Sequence, residues 1–322
     1  MRYPTQHLAL PFFENAHRRL VADLSDWAAE QQVDETDVDQ ACRHWVQALG
    51  AAGWLRYSVP ASHGGIFPVL DSRCLVLIRE VLAFHSALAD FAFAMQGLGS
   101  GPLSLAGTDS QRQVLHRVAA GQAIAAFALS EPMAGSDVAA MQTTAVAEGT
   151  DWILSGEKTW ISNGGIADFY LVFAKTDATA GARGISCFFL PAQTAGLQVA
   201  ERIDTISPHP LARLRFNGCR VPDAQRIGPL HGGFKLAMQT LDIFRVSVAG
   251  ASLGAAVTWL VAQVPLPING IFKTDRFIVV WDVNHYLAAI GTAVLMVMIA
   301  SLIPARRAAR LEPGDIVRGT AQ

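Results

Sequence analysis

The sequence is poor in charge and in cysteine. Charged residues make up 16% of its 322 residues, and the formal net charge is −2. No basic run precedes the C-terminal segment, so there is no electrostatic footprint for nucleic acid. The four cysteines (Cys42, Cys74, Cys187, Cys219) form no CxxC pair and predict reduced thiols in a cytoplasmic protein. The nine histidines show no metal-ligand spacing, and the early Glu14 argues against a signal peptide.

What the sequence does have is apolar residues in two different periodicities. Hydrophobic residues make up 51%, the mean hydropathy is +0.29, and the length suffices for two domains with a sizeable core. Residues 1–122 show helical spacing, which predicts an N-terminal helical domain that carries no chemistry of its own. Its helices are predicted at 12–31, 34–49, 74–94 and 111–120.

Residues 123–231 change to alternating apolar and polar positions, with turn residues between short runs. The predicted strands are 151–155, 169–175, 184–190, 197–203 and 211–216. Short strands with frequent turns predict a small antiparallel barrel or sandwich. From residue 232 a helical pattern returns and continues to about residue 262.

Two stretches of this middle region carry candidate chemistry. Residues 125–141, AAFALSEPMAGSDVAAM, combine small residues with Ser136 and Asp137, which predicts a tight loop and a short helix capped by one of the two. Such a loop can bind an anion or the polar edge of a flat cofactor. The alternative is that it is a solvent-exposed connection with no ligand. Residues 158–165 read KTWISNGG. Considered by itself, Trp160 in this stretch has two interpretations, a contact to a cofactor or an aromatic residue of the core.

These two stretches resemble a known family. FALSEPMAGSD is similar to the (T/S)EPxAGSD signature of the flavin-dependent acyl-CoA dehydrogenases, and KTWISNGG is similar to their KxWI(T/S)NG. The resemblance runs from about residue 81 to about residue 256. It implies a middle β-barrel domain, FAD as the cofactor, an acyl-CoA thioester as the substrate, an electron-transfer flavoprotein as the partner and a homo-oligomer.

The resemblance also implies roles for individual residues. The residues expected to contact the flavin are Phe127, Leu129, Ser130, Ser136, Trp160, Ile161 and Ser162. Ser136 is also expected near the acyl-CoA. Asp242 and Arg245 match positions that hold the CoA portion, and the alternative for this pair is an i,i+3 ion pair on the helix surface.

The resemblance assigns no residue of this chain as the catalytic base. Most of the family carries a catalytic Glu late in the C-terminal helical bundle, whose pattern is not found here. One branch places the Glu immediately before the Arg, and that position is Phe244 here. We therefore expect no catalytic residue and impaired dehydrogenation, since loss of a general base typically costs about 10²–10⁴-fold.

The pattern changes again after about residue 262. Residues 286–304 are uncharged and mostly apolar over about 19 positions, and Arg306, Arg307 and Arg310 follow them. This predicts a transmembrane helix with a cytoplasmic C-terminus, the alternative being a buried core helix. The final PARRAARLEPGDIVRG resembles the C-terminal tail of FtsX-like permease subunits of ABC transporters.

Together these patterns predict an α+β multi-domain chain. Its parts are a helical domain at 1–122, an antiparallel β-barrel flavin-binding domain at 123–231, the truncated first helix of a C-terminal bundle at 232–262, and a permease-like tail at 263–322. The predicted function is that of an FAD-dependent acyl-CoA dehydrogenase by descent. Two alternatives stay open: a flavin- or CoA-binding module anchored in the inner membrane through 286–304, and a non-functional fusion.

Overall fold

The computed structural model describes residues 3–262, and for residues 257–262 it describes only the backbone. The helices of this part are α1 (Asn15–Glu30), α2 (Val38–Ala51), α3 (Ser72–His85), α4 (Ala87–Ala106), α5 (Asp109–Arg112), α6 (Val114–Ala119) and α7 (Gly233–Ala262). The strands are β1 (Ala125–Ala128), β2 (Thr144–Glu148), β3 (Asp151–Ser162), β4 (Phe169–Lys175), β5 (Ile185–Pro191), β6 (Leu197–Arg202), β7 (Leu211–Pro222) and β8 (Arg226–Ile227).

The N-terminal region is helical, as predicted, but the long helix expected at 74–94 is two helices. Ser86 separates α3 from α4 because its backbone is extended, with φ −152° and ψ 125°. Its hydroxyl accepts a hydrogen bond from the backbone N–H of Ala89 at 3.0 Å, which caps α4. A serine that satisfies a free N–H in this way favours a new helix start over continuation of the old helix.

Helix α7 packs against α3 and α4, and a buried polar network joins the three helices. The guanidinium of Arg79 donates to both carboxylate oxygens of Asp90 at 2.7 and 2.8 Å, and also to the hydroxyl of Ser247 at 3.1 Å. Each of these residues is buried. The bidentate geometry satisfies a charge pair that would otherwise be costly to bury.

The predicted antiparallel barrel is wrong, because the middle region forms an open mixed sheet. Within residues 3–262 the strand order is β6-β7-β3-β2-β4-β5-β8, so the path ends at β6 and β8 without closing. Strand β1 pairs in parallel with β4, and β2 meets β4 in parallel at one residue pair. The carboxylate of Asp168 accepts from the backbone N–H of Ile124 at 2.7 Å, which fastens the start of β1 beside β4. A period of two predicts strands but carries no information on pairing direction or closure.

The five predicted strands are all present, and the sequence pattern missed β1, β2 and β8. The short helix expected from Asp137 is only a 3-10 turn over Val138–Ala140, and the Asp137 side chain makes no capping hydrogen bond. No helix within residues 3–262 has the length and apolar character needed to cross a bilayer. The predicted transmembrane segment 286–304 and the permease-like tail lie outside the described residues, and the predicted domain boundaries stay predictions.

Candidate functional site

The two motif stretches meet α4 and α7 at a cleft with a volume of about 400 Å³. Eight of the nine residues predicted to bind flavin or CoA line it: Phe127, Leu129, Ser130, Ser136, Trp160, Ile161, Ser162 and Arg245. Asp242 is not among its lining residues. The structure thus brings together side chains that are more than 100 residues apart in the sequence.

Trp160 is held in an unusual backbone conformation at the mouth of this cleft. Its φ is 58°, in the left-handed region. The residue is 60% exposed, which is unusual for a side chain as large and apolar as tryptophan. The register between β3 and β7 shifts between Lys158 and Ile161, so Trp160 lies in a β-bulge. A bulge redirects a side chain out of the regular sheet. A left-handed non-glycine residue costs about 1–2 kcal/mol, and such strain concentrates at functional sites.

Asn163 fixes the turn that follows Trp160. Its φ is 59° and its side chain is buried. The side-chain amide donates to the backbone carbonyl of Ala125 at 2.9 Å, and its backbone N–H donates to the carbonyl of Pro210 at 2.9 Å. Asparagine tolerates the left-handed region better than most residues. The tryptophan turn is therefore tied directly to β1, the strand that leads into the other motif.

The lining of the cleft is apolar with a few polar groups. Phe127, Leu129 and Ile161 supply apolar surface, while Ser130, Ser136 and Ser162 supply hydroxyls. Pockets that bind cofactors combine these features: apolar walls for contact area and a few polar groups for orientation. An exposed indole beside such walls offers a stacking surface for a flat aromatic group.

Apart from Arg245, sequence reasoning missed the helical side of the cleft. Helix α4 contributes Met95 and Leu98, and α7 contributes Phe234, Met238 and Leu241. Together with Arg245, these α7 residues follow the i, i+4, i+7, i+11 spacing of one helix face. The spacing is visible in the sequence, but an apolar stripe on a helix usually indicates core packing, so it does not single out a site.

The residue in the expected base position does not line the cleft. Phe244 is 7% exposed, and its ring lies against Gly97 of α4. Asp242 and Arg245 are both exposed, and within residues 3–262 they form no ion pair, so the surface ion-pair alternative is not realised. Asp137, which the sequence suggested as a helix cap, lines the cleft instead.

A buried ion pair that the sequence analysis did not foresee lies behind the cleft. The ammonium of Lys158 is 2.8 Å from the Glu131 carboxylate, and both side chains are buried. Burial lowers the pKa of Lys158 to about 8, although Glu131 acts in the opposite direction. Burial raises the pKa of Glu131, but Lys158 and the backbone N–H of Gln142 outweigh it and hold the pKa below its ordinary value.

Comparison with known proteins agrees with this geometry. The family model "Acyl-CoA dehydrogenase, N-terminal domain" matches residues 13–122, and "Acyl-CoA dehydrogenase, middle domain" matches residues 126–219. A third model, "FtsX-like permease C-terminal", matches residues 236–313, which confirms that resemblance and places its start within α7.

The chain is 36% identical to the probable acyl-CoA dehydrogenase fadE25 of Mycobacterium leprae over 273 residues, covering 83% of this chain and 68% of that protein. It is 35% identical to the human mitochondrial short-chain specific acyl-CoA dehydrogenase over 265 residues, covering 79% of this chain and 63% of that protein. For the fadE25 protein of Mycobacterium bovis the chain spans 54% of the relative's length. The chain belongs to the acyl-CoA dehydrogenase family.

Solved structures show the same fold. A chain from the structure of the electron transferring flavoprotein of Acidaminococcus fermentans aligns with a TM-score of 0.74 at 29% identity, covering 92% of this chain and 77% of that chain. An acyl-CoA dehydrogenase from Bacillus anthracis complexed with FAD aligns with a TM-score of 0.71 at 29% identity, covering 82% of this chain and 46% of that chain. The predicted FAD cofactor is thereby confirmed for the family.

Proposed function

We propose that this cleft binds FAD and that the chain is a flavin-dependent dehydrogenase of acyl-CoA thioesters. The observation that carries the proposal is that all seven residues predicted to contact flavin line one cleft. The cleft fits a flavin ring because Trp160 exposes its indole there while Phe127 and Leu129 supply apolar walls. Bound FAD supplies the two-electron acceptor for oxidation of the α,β carbon–carbon bond of the acyl group.

The chain's own residues would place the cofactor and the substrate. Trp160 and Ile161 would lie against the flavin ring, and the Ser162 hydroxyl would hydrogen-bond to its polar edge. Ser136 and Arg245 would contact the acyl-CoA, because a hydroxyl and a guanidinium suit its oxygen-rich groups. Asp242, one turn from Arg245 on an exposed face, would contact the CoA portion outside the cleft. An electron-transfer flavoprotein as the acceptor of the electrons, and assembly into a homo-oligomer, complete the proposal.

We further propose that proton removal by this chain is slow. Of the residues in 3–262 that line the cleft, Asp137 is the only one with a carboxylate. Phe244, at the position where one branch of the family has its base, cannot accept a proton. Without a well-placed base, the rate of α-proton removal falls by about 10²–10⁴-fold.

The test is anaerobic reduction of FAD-loaded protein by saturated acyl-CoA thioesters of increasing chain length, followed by loss of the flavin's visible absorbance. The expected result is slow bleaching with every thioester, while dithionite bleaches the same flavin completely. An Asp137→Asn variant tests whether the residual reaction uses that carboxylate. If it does, thioesters bleach the flavin of this variant still more slowly. Bleaching at a rate ordinary for an enzyme of this class would contradict slow proton removal, and protein that never takes up FAD would contradict the proposed function itself.

A further inference from the structure

We propose that the Lys158–Glu131 ion pair is a positioning device that fixes the loop carrying Ser130 and Ser136 against the strand carrying Trp160. Neither residue lines the cleft. They act through the two segments that line the cleft, the loop on the Glu131 side and strand β3 on the Lys158 side. The inference rests on the proposed binding of FAD, because it assigns the pair to the relative placement of the flavin contacts.

Glu131 closes the loop on itself. Its carboxylate accepts hydrogen bonds from the backbone N–H groups of Gln142 and Thr143, the latter at 3.0 Å. These two residues follow the loop segment that contains Ser136. Glu131 also exchanges backbone hydrogen bonds with Ala134, both at 3.1 Å, which forms the first tight turn of the loop. One carboxylate therefore holds both ends of the segment from residue 131 to residue 143.

Lys158 joins this closed loop to β3. Its ammonium donates to the Leu129 carbonyl at 3.0 Å as well as to the Glu131 carboxylate, and it lies 3.8 Å from the sulfur of Met141. One residue further along β3, the backbone N–H of Thr159 donates to the Ser130 carbonyl at 2.9 Å. Trp160 is the next residue. The carbonyls of Leu129 and Ser130, two of the predicted flavin contacts, are thus held by the two residues that directly precede Trp160.

A buried ion pair is better suited than apolar packing to fix the position of the loop relative to β3. A fully buried ion pair is often no more stabilising than apolar side chains of the same size, so its presence calls for another reason. The two members of this salt bridge make three further hydrogen bonds to the surrounding backbone, which restricts the relative arrangement of the segments more than apolar packing would. The pair therefore contributes to the geometry of the cleft.

The experiment compares Lys158→Met with Arg79→Met in the full chain. The control also removes one member of a buried ion pair, Arg79–Asp90, which joins α3 to α4 and contributes neither residue to the cleft lining. A third variant, Lys158→Met with Glu131→Gln, removes both charges and avoids leaving a buried carboxylate without a partner. Two properties are measured for each variant: amide hydrogen exchange without FAD, and flavin fluorescence at saturating FAD.

We expect the amides of Gln142 and Thr143 to exchange at least about tenfold faster in both Lys158 variants than in the native chain, because the loop loses its charge-assisted hydrogen bond to β3 and opens more often. We also expect brighter bound flavin, because the indole of Trp160 quenches less when its segment shifts. Arg79→Met should leave both readouts unchanged even where it lowers the melting temperature. Native exchange rates and native flavin fluorescence in both Lys158 variants would overturn the proposal. If the native chain binds no FAD, the proposed function fails, and the exchange rates alone decide whether the pair closes the loop.

Discussion

The ring of Phe244 in α7 lies so close to Gly97 in α4 that a Cβ atom built on residue 97 would come within 2.4 Å of the ring carbon Cε1. One turn further along α4, a Cβ on Gly101 would come within 2.5 Å of Thr240 Cγ2. The two helices that form one side of the cleft are therefore in contact through glycine backbone. This contact fills the space into which the side chain of Phe244 points.

We predict that Gly97→Ala lowers the free energy of unfolding by about 1–3 kcal/mol, the usual cost of overpacking a well-packed core. Phe244→Ala alone should cost about 3–5 kcal/mol through the cavity it leaves. The double variant should cost little more than Phe244→Ala, because the new methyl group enters the vacated space. Denaturant unfolding of the four proteins measures the coupling, and strictly additive losses would show that the two residues do not touch.

A second prediction concerns the strained backbone of Trp160. Replacement by Gly and by Ala removes the indole equally, but only Gly adopts φ 58° without cost. Without FAD, we expect Trp160→Gly to be more stable than Trp160→Ala by about 1 kcal/mol, as measured by denaturant unfolding. Equal stabilities would mean that the bulge relaxes when the ring is lost.

Acid stability provides a third prediction. Hydrogen bonds from Arg73, against the opposing effect of burial, lower the pKa of Asp71 to about 2, and His17 lies 3.5 Å from the same carboxylate. Because the folded pKa lies below the ordinary value of 3.8, the carboxylate stabilises the fold fully above pH 3.8, and this stabilisation is lost as the pH falls toward 2. Urea unfolding between pH 2 and pH 5 should therefore show a steeper acid loss for the native chain than for Asp71→Asn. Parallel curves would contradict the assignment.

Lys158 gives a fourth prediction, at alkaline pH. Its pKa of about 8 in the folded chain lies below its ordinary value of 10.5, so the unfolded chain binds more protons between these values. The free energy of unfolding of the native chain should rise with pH in this window, relative to the variant Lys158→Met with Glu131→Gln. Unfolding curves at several pH values between 8 and 10.5 test this, and a difference that does not change with pH would contradict it.

The helices and strands were predictable where periodicity and turn chemistry agreed. The strand Phe169–Lys175 was predicted with its observed bounds, because a short apolar run lies between stretches of turn residues. The helix break at Ser86 was not predicted, since the apolar pattern runs through it and only the capping hydrogen bond interrupts the helix. The parallel pairing of β1 was also missed, because it depends on the contact between Asp168 and Ile124, which local sequence does not encode.

The candidate site was predicted well on its strand side and poorly on its helix side. Trp160 and Ser136 were predicted because they belong to the two stretches that resemble the family's signatures. Met95 and Leu241 belong to helices whose apolar faces look alike whether they meet a core or a cofactor. The Glu131–Lys158 pair was hidden for a related reason: both residues lie inside the motifs, but nothing in the spacing indicates that they meet behind the cleft.

Calorimetric titration of the flavin-free chain with FAD determines whether the two motifs form one flavin-binding cleft. We expect saturable binding of one FAD per chain, with an affinity that falls about tenfold in Trp160→Ala, the equivalent of about 1.4 kcal/mol of stacking. Heat that never saturates, or a Trp160→Ala variant that binds FAD as tightly as the native chain, would contradict it.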